Sequence, residues 1–117
     1  SAVAMGKGNT ASGANSVALG HTNQATGVES VSLGQESEAT ANRAVAIGYQ
    51  AKAQGIDSIA LGNNATVLGD TAIAIGNNAL ANPNSIKKVR GIIGNLSQTR
   101  IFFFERFITG QLINQNF

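Results

Sequence analysis

The sequence predicts an all-β fold: a parallel β-roll, or flattened solenoid, of fourteen-residue coils. Three observations carry that prediction. The first is a period. Gly6, Gly20, Gly34, Gly48, Gly62 and Gly76 are spaced by fourteen residues every time, with no insertion. The second is a phrase that each of these glycines closes. It reads Ser-Val-Ala-Leu-Gly at Ser16 to Gly20, with variants at Ser30 to Gly34, Ala44 to Gly48, Ser58 to Gly62 and Ala72 to Gly76. The opening residues are a first copy, with Met5 in the Leu/Ile slot. The third is a pair of further slots. Ala11, Ala25, Ala39, Ala53, Val67 and Ala81 stand five residues after each glycine, and Gly13, Gly27, Ala41, Gly55, Gly69 and Pro83 stand seven after. A fixed period of this kind marks a repeat architecture.

A helical repeat does not fit. Helix-turn-helix repeats need more than about thirty residues, and coiled coils keep a seven-residue period with few glycines. Two glycines per unit would each cost roughly 1 kcal/mol in a helix interior. The Val and Ile of the phrase favour strands instead. Each unit is therefore two short strands and two turns, with Gly20 and its equivalents allowing one turn and Gly13 and its equivalents the other. Successive coils stack by strand pairing at about 4.8 Å each, so six coils make a rod on the order of 30 Å long.

The first strand of each coil has a large and a small face. The large face carries Val17 and Leu19, Val31 and Leu33, Val45 and Ile47, Ile59 and Leu61, Ile73 and Ile75. The small face carries Ser16 and Ala18, Ser30 and Ser32, Ala44 and Ala46, Ser58 and Ala60, Ala72 and Ala74. Neither face is charged, so the strand reads as buried on both sides. The second strand alternates small residues (Ala51 and Ala53, Ala65 and Val67, Ala79 and Ala81) with polar ones, so one of its faces is wet. A flattened coil has one narrow interior, which suits the small residues of both strands. The large face then points outward as a continuous aliphatic stripe. Fully burying each such side chain is worth ~1.5–3 kcal/mol, so the stripe calls for another chain to cover it. The alternative arrangement puts the large face inside the coil and the small face outside.

Composition agrees with a chain that gains by association. The chain has 117 residues, 43% hydrophobic but only 5% aromatic, with no Trp, and a lone domain of this kind is marginal. It has no Cys, which excludes a disulfide framework and cysteine metal sites. No apolar run approaches the ~20 residues of a membrane-spanning helix. The net charge of +2 is uneven. Residues 1–85 hold Lys7, Arg43 and Lys52 against Glu29, Glu36, Glu38, Asp57 and Asp70, whereas residues 86–117 hold Lys87, Lys88, Arg90, Arg100 and Arg106 against Glu105. All five Phe residues lie in that last part. The repeat fails after Pro83, where Lys87 takes an aliphatic slot. The expected organisation is repeats over residues 1–84, then a divergent, neck-like or partly disordered segment over residues 85–117.

The "SVALG…A…G" repeats at fourteen-residue spacing resemble the head domain of trimeric autotransporter adhesins, the YadA-like head, over residues 1 to about 82. The resemblance implies a left-handed parallel β-roll. It implies a homotrimer, in which two identical chains cover the stripe Val17, Leu19, Val31, Leu33, Val45, Ile47, Ile59, Leu61, Ile73 and Ile75. It also implies a place on the bacterial cell surface or outer membrane, with the membrane reached only through a distant anchor outside this chain. The implied function is adhesion to host extracellular matrix, such as collagen, fibronectin or laminin, or to cell-surface glycans. Many weak, equivalent contacts would then add up through three chains and many copies. Candidate contact positions are the polar ones of the second strand and its turn: Thr22, Gln24, Glu36, Glu38, Gln50, Lys52, Asn64 and Thr66. The competing reading of those positions is a plain solvated face. The competing function is a structural spacer or fibre module with no ligand of its own, as in a phage fibre.

Catalytic and cofactor chemistry finds little foothold. His21 is the only histidine and shares its slot with Lys7, Gln35, Tyr49, Asn63 and Asn77, so it reads as an interchangeable surface position. No enzyme activity, cofactor or metal is expected, since metal sites need clustered ligands and no phosphate-binding glycine loop occurs. Left-handed helix acyltransferases repeat every six residues, which fourteen does not fit. An ice-binding face needs a Thr ladder, where this strand mixes in Glu, Gln and Lys. Lys87, Lys88 and Arg90 form a small basic cluster without a periodic aromatic platform, so no nucleic-acid partner is expected. Asn63-Asn64 and Asn77-Asn78 recur in register, which suggests a stacked side-chain ladder.

Overall fold

The structure is a computed structural model, and it describes residues 1–83. The expectations for residues 84–117, including the neck-like or disordered segment and the Lys87, Lys88 and Arg90 cluster, lie outside the described residues.

Twelve strands alternate long and short among the described residues. The long ones follow the aliphatic phrase: β1 (Val3–Lys7), β3 (Val17–His21), β5 (Val31–Gln35), β7 (Val45–Tyr49), β9 (Ile59–Leu61) and β11 (Ile73–Ile75). The short ones hold two residues each: β2 (Thr10–Ala11), β4 (Gln24–Ala25), β6 (Glu38–Ala39), β8 (Lys52–Ala53), β10 (Thr66–Val67) and β12 (Leu80–Ala81). They form two six-stranded sheets, β1-β3-β5-β7-β9-β11 and β2-β4-β6-β8-β10-β12. All neighbours are parallel and paired one repeat apart, as in Val17 with Val31, Leu19 with Leu33 and Gly20 with Gly34. We number the coils 1 to 6, over residues 2–15, 16–29, 30–43, 44–57, 58–71 and 72–83.

The interior between the sheets is the small one. Ser16, Ala18, Ser30, Ser32, Ala46, Ser58, Ala60 and Ala74 of the long strands are fully buried. So are Ala25, Ala39, Ala53, Val67 and Ala81 of the short strands. Val67 is the largest side chain sealed inside. The alternative arrangement, with the large face inside, does not occur. A core of methyl and hydroxymethyl groups lets the two sheets approach closely, and little apolar area is buried per residue. Backbone hydrogen bonds between coils carry much of the cohesion, for example Val17 N to Ser30 O at 2.9 Å and Val31 N to Ala44 O at 2.9 Å.

The turns differ from the sequence expectation. Gly20 does have a positive φ, of 126°, and a Cβ there would fall 2.0 Å from the Gly34 carbonyl oxygen. Gly13 has no positive φ; it is small because a Cβ would fall 1.9 Å from the Gly27 carbonyl oxygen of the next coil. The left-handed residues come two positions after each glycine. They recur every seven residues: Gly8, Asn15, Thr22, Glu29, Glu36, Arg43, Gln50, Asp57, Asn64, Thr71 and Asn78, with φ from 54° to 71°. Asn and Asp tolerate this region, whereas β-branched Thr does so poorly. From Thr22 onward each such residue ties its turn to the preceding coil through its N–H, as in Thr22 N to Lys7 O at 2.8 Å and Glu29 N to Ala14 O at 2.8 Å. The coil geometry imposes the conformation, and the stacked hydrogen bonds offset its cost.

Candidate interaction surfaces

The outer side of the long-strand sheet carries the aliphatic stripe. Val17, Leu19, Val31, Leu33, Val45, Ile47, Ile59, Ile73 and Ile75 are half-buried, and Leu61 is exposed. In-register pairing of β1 to β11 aligns these side chains into two adjacent rows along the roll. Val3 (44%) and Met5 (62%) extend the rows at coil 1 with still more exposure. The strands alternate strictly, so a buried Ala or Ser fixes each aliphatic neighbour on the outside.

The outer side of the short-strand sheet is polar over coils 2 to 5. Thr22, Gln24, Glu36, Glu38, Gln50 and Lys52 line a shallow groove of about 390 Å³. Thr66 continues the row through its pairing with Lys52, and Asn64 continues the turn row. These side chains pair with one another. Gln50 Nε2 donates to Glu36 Oε1 at 3.1 Å, and Lys52 Nζ lies 3.7 Å from Glu38 Oε1. The row turns apolar at coil 6, where Leu80 takes the same slot at 38% exposure. His21 is exposed and its Nδ1 lies 3.2 Å from Thr22 Oγ1. Among the described residues, no group of three His, Cys, Asp or Glu is placed to hold a metal ion.

At the opposite turn, Arg43 Nε donates to Asp57 Oδ1 at 2.6 Å and Arg43 Nη2 to Asp57 Oδ2 at 3.3 Å. The Arg43 hydrogen bond holds the Asp57 carboxyl below its ordinary value, against the opposing effect of desolvation and with help from the guanidinium charge. The same bond raises the Arg43 guanidinium further. Both side chains are about half exposed, so water screens the pair.

Sequence reasoning missed an internal clasp. Asn23 is fully buried. Its Nδ2 donates to Leu19 O at 2.6 Å and to Gly34 O at 2.7 Å. Its Oδ1 accepts from Ser37 N at 2.9 Å and Ser37 Oγ at 2.8 Å. Asn9 repeats the pattern one coil earlier, donating to Met5 O and Gly20 O and accepting from Asn23 N. Ser37 ends the row; its hydroxyl lies 2.6 Å from that of Ser32, which is also buried. A signal was present in the sequence, because this slot reads Asn9, Asn23, Ser37 and then Ala51, Ala65, Ala79. The expected Asn63-Asn64 ladder is a local contact instead, Asn64 Nδ2 to Asn63 Oδ1 at 2.8 Å within one coil.

Comparison with known proteins agrees with this geometry. The family model described as the YadA head domain repeat, a unit of two repeat copies, matches residues 1–22, 25–51 and 53–79. No match is found among curated proteins or solved structures. Three matched segments span nearly all of the described roll, and their repeats are the coils seen in it, so the chain belongs to the YadA head domain repeat family.

Proposed function

We propose that this roll is the head of a bacterial surface adhesin. Three copies of the chain, each a left-handed roll, associate side by side with their aliphatic stripes inward. The short-strand sheets face outward and make the contacts with host matrix or cells. The observation that carries the reading is the stripe: ten large aliphatic side chains, aligned in register and only partly covered by the roll itself. Membership in an adhesin-type, structural family supports it, and it asks no reaction of the fold. At ~25 cal/mol per Å², covering rows of Val, Leu and Ile along six coils supplies the kind of apolar interface that obligate oligomers use.

Sedimentation of the full chain tests the assembly. A trimer at micromolar concentration supports the reading, and a stable folded monomer overturns it. Solid-phase binding to collagen, fibronectin, laminin and a glycan panel tests adhesion. Saturable binding to any of these supports the adhesin.

One observation favours a spacer role instead. The outer polar groups already satisfy one another, Glu36 with Gln50 and Glu38 with Lys52, so fewer of them are free for a ligand. A trimer that binds nothing on the panel supports the spacer.

A further inference from the structure

The six coils look equivalent, yet their junctions are not. The N–H of the slot three residues after each closing glycine finds its acceptor in two different ways. In coils 2 and 3 it is bound by the preceding coil: Asn23 N donates to Asn9 Oδ1 at 2.8 Å, and Ser37 N donates to Asn23 Oδ1 at 2.9 Å. In coils 5 and 6 it is bound by its own turn: Ala65 N donates to Gly62 O at 3.4 Å, and Ala79 N donates to Gly76 O at 3.2 Å. The first way ties two coils together, while the second closes a coil on itself.

The amide nitrogens of the two asparagines add to the difference. Asn9 Nδ2 reaches Gly20 O at 2.8 Å, and Asn23 Nδ2 reaches Gly34 O at 2.7 Å, each crossing to the next coil. Ala51, Ala65 and Ala79 offer no such groups. The long strands follow the same division. β3 and β5 hold five residues each, whereas β9 and β11 hold three. The extra two residues in the early coils extend the regular ladder, Gly20 with Gly34 and His21 with Gln35, whereas past β9 and β11 the crossing is kept by separate bonds such as Gly76 N to Leu61 O at 2.8 Å and Asn78 N to Asn63 O at 2.8 Å.

We propose that the roll is a graded stack. Asn9 and Asn23 clasp coils 1 to 3 into its most resistant part, and opening starts at coils 5 and 6. In a solenoid the stability is close to a sum of coil terms and nearest-neighbour junction terms, so a change in junction chemistry along the axis makes local opening unequal. The clasp's Asn23 member is buried and fully partnered, which is the condition under which a polar network adds rigidity, while Asn9 at the end coil is half-buried. Coils 1 and 6 both lie at ends of the described roll, so the informative comparison is one coil in from each: coil 2 against coil 5. The proposal is independent of what the outer surface binds, because an aliphatic stripe that runs along all six coils would protect them alike.

Hydrogen exchange of the full chain, read at single amides, tests it. The Asn23 and Ser37 amides are expected to exchange at least about tenfold more slowly than the Ala65 amide, the scale of one or two inter-coil hydrogen bonds. Asn23→Ala should raise exchange in coils 2 and 3 by a similar factor and leave coil 5 unchanged. Ser37→Ala, which removes the hydroxyl contacts to Asn23 and Ser32 but keeps the Ser37 N–H bond to Asn23 Oδ1, should give a smaller rise. Equal protection at Ser37 and Ala65 in the unaltered chain would overturn the proposal. So would a gradient that survives Asn23→Ala, because another cause would then be at work. Loss of all protection at once in Asn23→Ala would overturn it too, by showing a single cooperative unit.

Discussion

The two sheets of the roll share one interior and face two different worlds. Inward, the long and short strands present the same small groups: Ala18 and Ala46 from one, Ala25 and Ala53 from the other, all fully buried. Outward they part. The long strands show Val, Leu and Ile in rows, and the short strands show Gln, Glu, Lys and Thr. The lesson is that stacking geometry dictates the inside of a thin solenoid and leaves both outsides free to specialise. A coil interior about two methyl groups deep has no room to vary, whereas a strand face pointing away from it has no such limit.

Breaking that contrast should give the largest effects. Ile59→Asp places a carboxylate within the aliphatic rows. The variant should lose assembly entirely in sedimentation, because an unpaired charge buried between chains costs several kcal/mol. Unchanged assembly would mean that the stripe is not the contact. The next largest effect tests the shared interior. Ala18→Leu in the long-strand sheet and Ala25→Leu in the short-strand sheet should each destabilise by about 1–3 kcal/mol or more in chemical denaturation, and by similar amounts. A clear tolerance at one of the two would show that the sheets do not share the interior equally.

Smaller effects sharpen the picture of the edges. Thr22→Gly relieves a β-branched residue at φ 54°. It should raise stability by up to about 1 kcal/mol, the left-handed penalty less the added freedom of glycine in the unfolded chain. A drop in melting temperature would mean that the threonine contributes more through its contacts than it costs. Lys52→Ala on the outer polar face should change stability by no more than about 0.5 kcal/mol and leave assembly intact. Last comes the Arg43–Asp57 pair. The folded-state carboxyl of Asp57 titrates below its unfolded value, so its contribution is present above the ordinary carboxylate range and is lost as pH falls through the depressed value. Asp57→Asn should therefore lower stability slightly at neutral pH, by the small worth of an exposed pair, flatten that part of the acid limb, and leave stability below the depressed value unchanged, as read in denaturation curves taken against pH.

Much of this was legible in the sequence, for a physical reason. Exact spacing forces register: once Gly20 pairs with Gly34, every other slot follows, and alternation then assigns Ala18 inward and Leu19 outward. Six of the eight polar positions picked from alternation, Thr22, Gln24, Glu36, Glu38, Gln50 and Lys52, do line one groove. The left-handed turn residues were not legible. Thr22, Glu29, Arg43 and Thr71 have no preference for that conformation, and the stack imposes it on them. Turn reasoning from residue type went to Gly13, whose role is close approach to the next coil. The asparagine clasp was half legible. Asn9 and Asn23 stand out against Ala65 and Ala79 in one slot, but only the coil-to-coil distance shows that an amide side chain spans it.

The left-handed residues that recur every seventh position have a further consequence, for heredity. Each turn takes its shape from the coil before it and hands the same shape to the next. A gene segment encoding one whole coil can therefore be copied or lost in frame without disturbing any residue's surroundings beyond its neighbours. A copy of half a coil would keep the left-handed positions in phase but put an aliphatic strand where a short polar one belongs. The length of such a rod can therefore change in whole steps of one coil with the fold kept.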